Sequence, residues 1–104
     1  MKNAVPNCCR KLAESLSAFS DSNHFHFIQI RDWCSATYNG YQVELTLTLD
    51  GENAIARAQD LKTKLPDHEF ACGRYIVAEC LVTAIGQARA GQVKVQIEAL
   101  LIEE

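Results

Sequence analysis

No run in this 104-residue chain reaches the ~20 consecutive apolar residues that a membrane-spanning helix requires. Nor do its first residues carry the apolar core that directs secretion, so a cytoplasmic protein is expected. Cysteine is present but unframed. There are five, an odd number, with Cys8 and Cys9 adjacent and Cys34, Cys72 and Cys80 dispersed. A secreted domain stapled by disulfides would show an even, denser set, so reduced thiols are the expectation. Paired short spacings such as C-x2-C or H-x3-H, the usual mark of zinc sites, are missing. Positive charge is thin: ten Lys and Arg against thirteen Asp and Glu, a net charge of −3. The basic residues are scattered and do not form the concentrated face that phosphate binding needs, which argues against nucleic acid as a partner. Glycine does not build a phosphate cradle either, because Gly86 and Gly91 flank a loop between two strands.

What is present is an ordinary globular composition, 48% apolar and 22% charged, enough for one domain over residues 1–104 with its own core. The clearest local signal is Tyr41–Leu49, in which apolar residues fall on every odd position and polar ones on every even position. Side chains alternate across a strand, so this segment is a strand with one dry face and one wet face. Residues 6–20 read as an amphipathic helix, with Val5, Cys9, Leu12, Leu16 and Phe19 forming one stripe and Pro6 in the first turn. Ser20-Asp21-Ser22-Asn23 then reads as a loop. His24–Trp33 is a strand whose apolar parity changes between Phe27 and Ile28, which predicts a bulge or contacts on both faces. Asn39-Gly40 supplies the turn signal of a hairpin.

Asp50 is placed to cap a second helix with the stripe Ala54, Ile55, Ala58, Leu61 and Leu65, stopped by Pro66. Residues 70–85 and 92–102 are two further strands, with Gly86–Gly91 as the loop between them. The order is α-β-β-α-β-β. The fold class is therefore α+β: a two-layer sandwich with a four-stranded, mainly antiparallel sheet and two helices on one face.

The residues that could carry chemistry form no diagnostic set. His24 and His26 share a strand face, and His68 or one of Cys34, Cys72 and Cys80 could complete a metal shell. Surface histidines at a strand start explain the pair equally well, and neither a metal nor another cofactor is expected. The Cys8-Cys9 pair lies at a helix start, where exposed amides can lower a thiol pKa, although Cys9 falls on the apolar stripe. Cys34 with His24 or His26 and Asp32 has the residue types of a nucleophilic relay, and Glu44 with Glu79 those of a carboxylate pair. No spacing singles out either, and no catalytic residue is assigned. Phe25, Phe27, Trp33 and Tyr38, with His24 and His26, are the candidate wall of a small apolar ligand site.

Val77, Leu81, Ile85, Leu100 and Ile102 are the candidate interface, gathered on the sheet face away from the helices. Exposed apolar surface of that kind marks an interaction site, unless twisting of the long strands covers both faces within one chain. The expected partner is a second copy, giving a dimer or homo-oligomer through the sheet, with a foreign protein or small apolar ligand as alternatives. The expected role is non-enzymatic binding or structure.

A strand, an amphipathic helix and two long strands over residues 41–104 resemble, in element order, small phage tail-completion or tail-terminator proteins. That resemblance implies a ring-forming structural component. Two rivals stand beside it. One is a cofactorless enzyme with a pocket between sheet and helices, built like compact isomerases and monooxygenases. The other is a regulatory protein of a mobile element that docks a larger host protein.

Overall fold

The carbonyl of Pro6 accepts hydrogen bonds from the N–H groups of Cys9 and Arg10 at 3.0 and 3.1 Å, and so starts the first helix. The computed structural model describes residues 5–20, 24–89 and 91–104. Helix α1 runs Asn7–Ser20, followed by β1 (His24–Cys34), β2 (Asn39–Asp50), α2 (Ala54–Lys64), a 3-10 turn at Leu65–Asp67, β3 (Tyr75–Arg89) and β4 (Gln92–Glu103). The α-β-β-α-β-β order and the α+β class are those predicted. Residues 21–23 of the expected polar loop lie outside the described residues.

The four strands pair antiparallel in the order β1-β2-β4-β3, which makes β2 and β4 central. Val43, Leu45, Leu47 and Leu49 of β2 and Val93, Val95, Ile97, Ala99 and Leu101 of β4 are buried on one face. Cys9, Leu12 and Leu16 of α1 and Ala54, Ala58 and Leu61 of α2 pack into the same core, as does Leu65. Burial of such side chains is worth roughly 1.5–3 kcal/mol each, and it decides which face the helices cover. Ile55 departs from its expected stripe and is 55% exposed.

Several local expectations are corrected. Asn39 and Gly40 belong to β2, paired with Cys34 and Trp33. The hairpin turn is Ser35–Tyr38, closed by a 2.8 Å bond from the Ser35 N–H to the Tyr38 carbonyl. The Ser35 hydroxyl accepts from the N–H groups of Thr37 and Tyr38 at 3.3 and 3.0 Å, so a serine, and not the Asn-Gly pair, organises the turn. Asp50 ends β2 and does not cap α2. Its carboxylate accepts from the Gln92 side-chain amide at 3.1 Å, and its carbonyl accepts from the Arg57 guanidinium at 2.8 Å. The third strand starts at Tyr75 rather than residue 70. The last two strands run on to Arg89 and from Gln92, so the expected six-residue loop shrinks to residues 90–91, of which residue 90 lies outside the described residues.

The bulge expected in β1 is present, with Ile28 as the extra residue between Phe27 and Gln29. Three more occur in β3, at Ala78, Thr83 and Ala88, five residues apart. Each bulge returns the following residue to the face that simple alternation would deny it. This is why the predicted interface does not gather on one face. Val77 pairs with Leu101 and Ile85 with Val95, both on the helix side, where they pack against the core. Leu81, Leu100 and Ile102 do lie on the open face.

Candidate functional site

The pleat and the register together define the open face row by row. At one end Trp33, Gly40, Ile102 and Ile76 lie side by side across all four strands. The next row is Arg31, Gln42, Leu100 and Glu79, and the one after it Gln29, Glu44, Glu98 and Leu81. Beyond these the face is polar, with His26 beside Thr46 and Thr48 beside Lys94. The apolar surface is thus an end band of Trp33, Ile76, Ile102, Leu100 and Leu81. Ile76 is 48% and Leu81 37% exposed. Trp33 and Ile76 join three of the predicted interface residues there. Their membership depends on bulges that carry no signature residue type.

Glu44 and Glu98 stand directly opposite one another at the middle of the face. Like charges in that relation oppose each other. Any partner lying centrally on the sheet would have to bury both, so contact is favoured at the apolar end. Glu79 is separated from Glu44 by β4 and does not form the expected carboxylate pair with it.

The candidate ligand wall is divided rather than assembled. His24, His26 and Trp33 lie on the open face, whereas Phe25 and Phe27 lie on the helix side beyond the bulge. There the two phenylalanine rings meet edge to face, 5.7 Å between centroids. Tyr38 sits in the exposed hairpin turn. The presumed relay also separates, because His24 pairs near one end of β1 with Thr48 and Cys34 at the other end with Asn39. Across eleven residues that separation is about 33 Å for a strand. His68 stacks on Phe19 with ring centroids 4.0 Å apart, on a different part of the surface. Among the described residues, no three of His, Cys, Asp and Glu come together as a metal-binding group. No described helix is long and apolar enough to cross a membrane.

A second concave region was not anticipated. Cavities of about 550, 420 and 400 Å³ share Tyr41 as a common wall at the end of the sheet where α1 begins. Asp32 lines the first and third, Tyr75 the second and third, and Lys11 and Arg74 the second. The Tyr41 and Tyr75 rings are 5.8 Å apart. Burial first, then the negative charge of Glu103 and the hydrogen bond with Tyr41, push the Tyr75 phenol above its ordinary value. Arg74 meets Glu103 at 3.5 Å, an exposed pair that contributes little to stability.

The four buried thiols behave as core rather than chemistry. Burial pushes those of Cys9 and Cys80 up to about 12, and raises Cys8 and Cys72 as well. This is opposite to the activation that a helix start can give. The chain matches no protein-family model, no curated protein and no solved structure.

Proposed function

We propose that this chain is a non-enzymatic structural or binding protein that works as a homo-oligomer assembled through its sheet. The observation that carries this reading is the end band of the open face, where Ile76 and Leu81 stand exposed beside Trp33, Leu100 and Ile102. A contiguous apolar patch next to polar residues is a usual mark of an interaction surface. The reading puts the protein in the cytoplasm, which five reduced cysteines support.

Light scattering after size exclusion, over a wide concentration range, tests it. A stable oligomer in the wild-type protein is expected, and a monomer at every concentration would remove the reading. A closed ring of more than two copies would favour the tail-completion-like role over a simple dimer. The trough around Tyr41 favours a second reading, a small-molecule site holding the titratable Asp32. A thermal-shift screen of metabolites against wild type and Tyr41→Ala separates it from self-assembly.

A further inference from the structure

We infer that β1 is the edge along which a second copy pairs, antiparallel across a two-fold axis, to form one continuous eight-stranded sheet. The inference rests on the reading that the protein works as an oligomer through its sheet, and it names the edge and the symmetry.

Among the described residues β1 pairs only with β2, so its outer N–H and C=O groups face outward. None of its eleven residues is buried, although Phe25, Phe27, Ile28, Ile30 and Trp33 are among them. Phe25 is 38% and Ile28 50% exposed. Long, exposed, apolar edges template pairing with another strand, and folded proteins blunt them when pairing is unwanted. The opposite edge is blunted in this way: β3 carries bulges at Ala78, Thr83 and Ala88, each of which twists the strand and breaks its regular repeat. β1 has a single bulge, against three in β3. The two edges of one sheet are therefore treated differently.

The edge is also complementary to itself. Its charged residues are Arg31 and Asp32, which cancel, and the middle of the strand, Ile28-Gln29-Ile30, is uncharged. A two-fold axis between Ile28 and Gln29 runs the histidine half of one copy past the Arg31–Asp32 half of the other, so the two arginines stay apart, as do the two aspartates. The same operation brings Phe25 and Phe27 of the second copy alongside Ile30 and Asp32. Those residues line a cavity of about 550 Å³ that continues under Pro6 at the start of α1. The edge thus offers both an aromatic knob and a concave slot of mixed lining, Ile28, Ile30 and Tyr41 with Gln29 and Asp32. It is about 33 Å long, enough for a strand-to-strand ladder along its whole length.

The test combines light scattering with hydrogen exchange of the full chain, comparing wild type, the double variant Phe25→Lys/Ile28→Lys and the control Ile55→Lys, an exposed position on α2 away from the sheet edge. Circular dichroism and thermal melts confirm that each variant is folded. Both edge substitutions are at exposed positions. The expected result is a wild-type dimer in which alternate β1 amides are protected and lose protection on dilution. The double variant should raise the dimer Kd on the order of 100-fold or more, while Ile55→Lys leaves it within a few-fold.

A dimer that survives the double variant with fast-exchanging β1 amides would overturn the edge assignment and leave the oligomeric reading intact. A higher assembly in which β1 and β3 are both protected would overturn the two-fold axis in favour of head-to-tail pairing. A monomer at all concentrations would overturn both this inference and the reading beneath it.

Discussion

The carbonyl oxygen of Leu101 occupies the space that a Cβ at Gly40 would need. Gly40 lies in β2 between Trp33 and Ile102, so the close approach of β4 depends on the missing side chain. Backbone cannot give way as a flexible side chain can. Gly40→Ala should cost about 2–3 kcal/mol, at the upper end of overpacking. Gly86→Ala, where a Cβ meets nothing within 4 Å, should change stability by less than about 0.5 kcal/mol. Urea denaturation of the two variants provides the comparison, and equal losses would contradict the steric argument.

The buried thiols give the protein an alkaline limit. Cys9 and Cys80 ionise at about 12 when folded, against an ordinary 9.0. The folded state therefore holds these protons more tightly than the unfolded chain. Their contribution to stability is fully present below about pH 9 and is lost as pH rises toward 12, at up to ~1.4 kcal/mol per pH unit for each thiol. Urea midpoints followed upward from about pH 8 should fall steeply, and less steeply in Cys9→Ala; equal slopes in the two proteins would exclude the thiol as the cause.

Cys34 is exposed and the other four cysteines are buried. Brief maleimide treatment of folded protein should add one label per chain at Cys34, and five after unfolding. Mass spectrometry of the digested product checks both number and position. Rapid labelling of Cys8 or Cys72 would show that the start of α1 opens readily.

Phe19 near the end of α1 stacks on His68, which in turn meets Phe70 edge to face at 4.5 Å. These rings tie the helix to the segment after the 3-10 turn. A double-mutant cycle with Phe19→Ala and His68→Ala should return a coupling of about 0.5–1 kcal/mol, less than a fully buried aromatic pair gives. An additive cycle would mean that the stacking contributes nothing beyond the separate burial of each ring.

The part of the fold that could be read from sequence is the part with unbroken alternation. Val43, Leu45, Leu47 and Leu49 are buried as their parity predicts, because β2 is a central strand without a bulge. The α1 stripe is equally direct at Cys9, Leu12 and Leu16. Val77 and Ile85 could not be placed in this way, since they share parity with Leu81 and only the intervening bulges at Ala78 and Thr83 divide them. Alanine and threonine at those positions look like any strand residue. The trough around Tyr41 was illegible for a different reason. Its walls come from α1, all four strands and the segment just before β3, and they become neighbours only through the order β1-β2-β4-β3. Strand order is a property of the folded sheet, and no local pattern encodes it.

The bulges of β3 also determine where the chain can be shortened. Fifteen residues of β3 run beside twelve of β4, and Ala78, Thr83 and Ala88 account for the difference. Deleting Ala78 would join Val77 to Glu79 while each keeps its partner, Leu101 and Leu100, on its proper face. Deleting a paired residue such as Cys80 would instead force the neighbouring stretch, as far as the next bulge, to turn its core side chains to water. The length of this strand is therefore adjustable at three points, and each restores a regular ladder when its extra residue is removed.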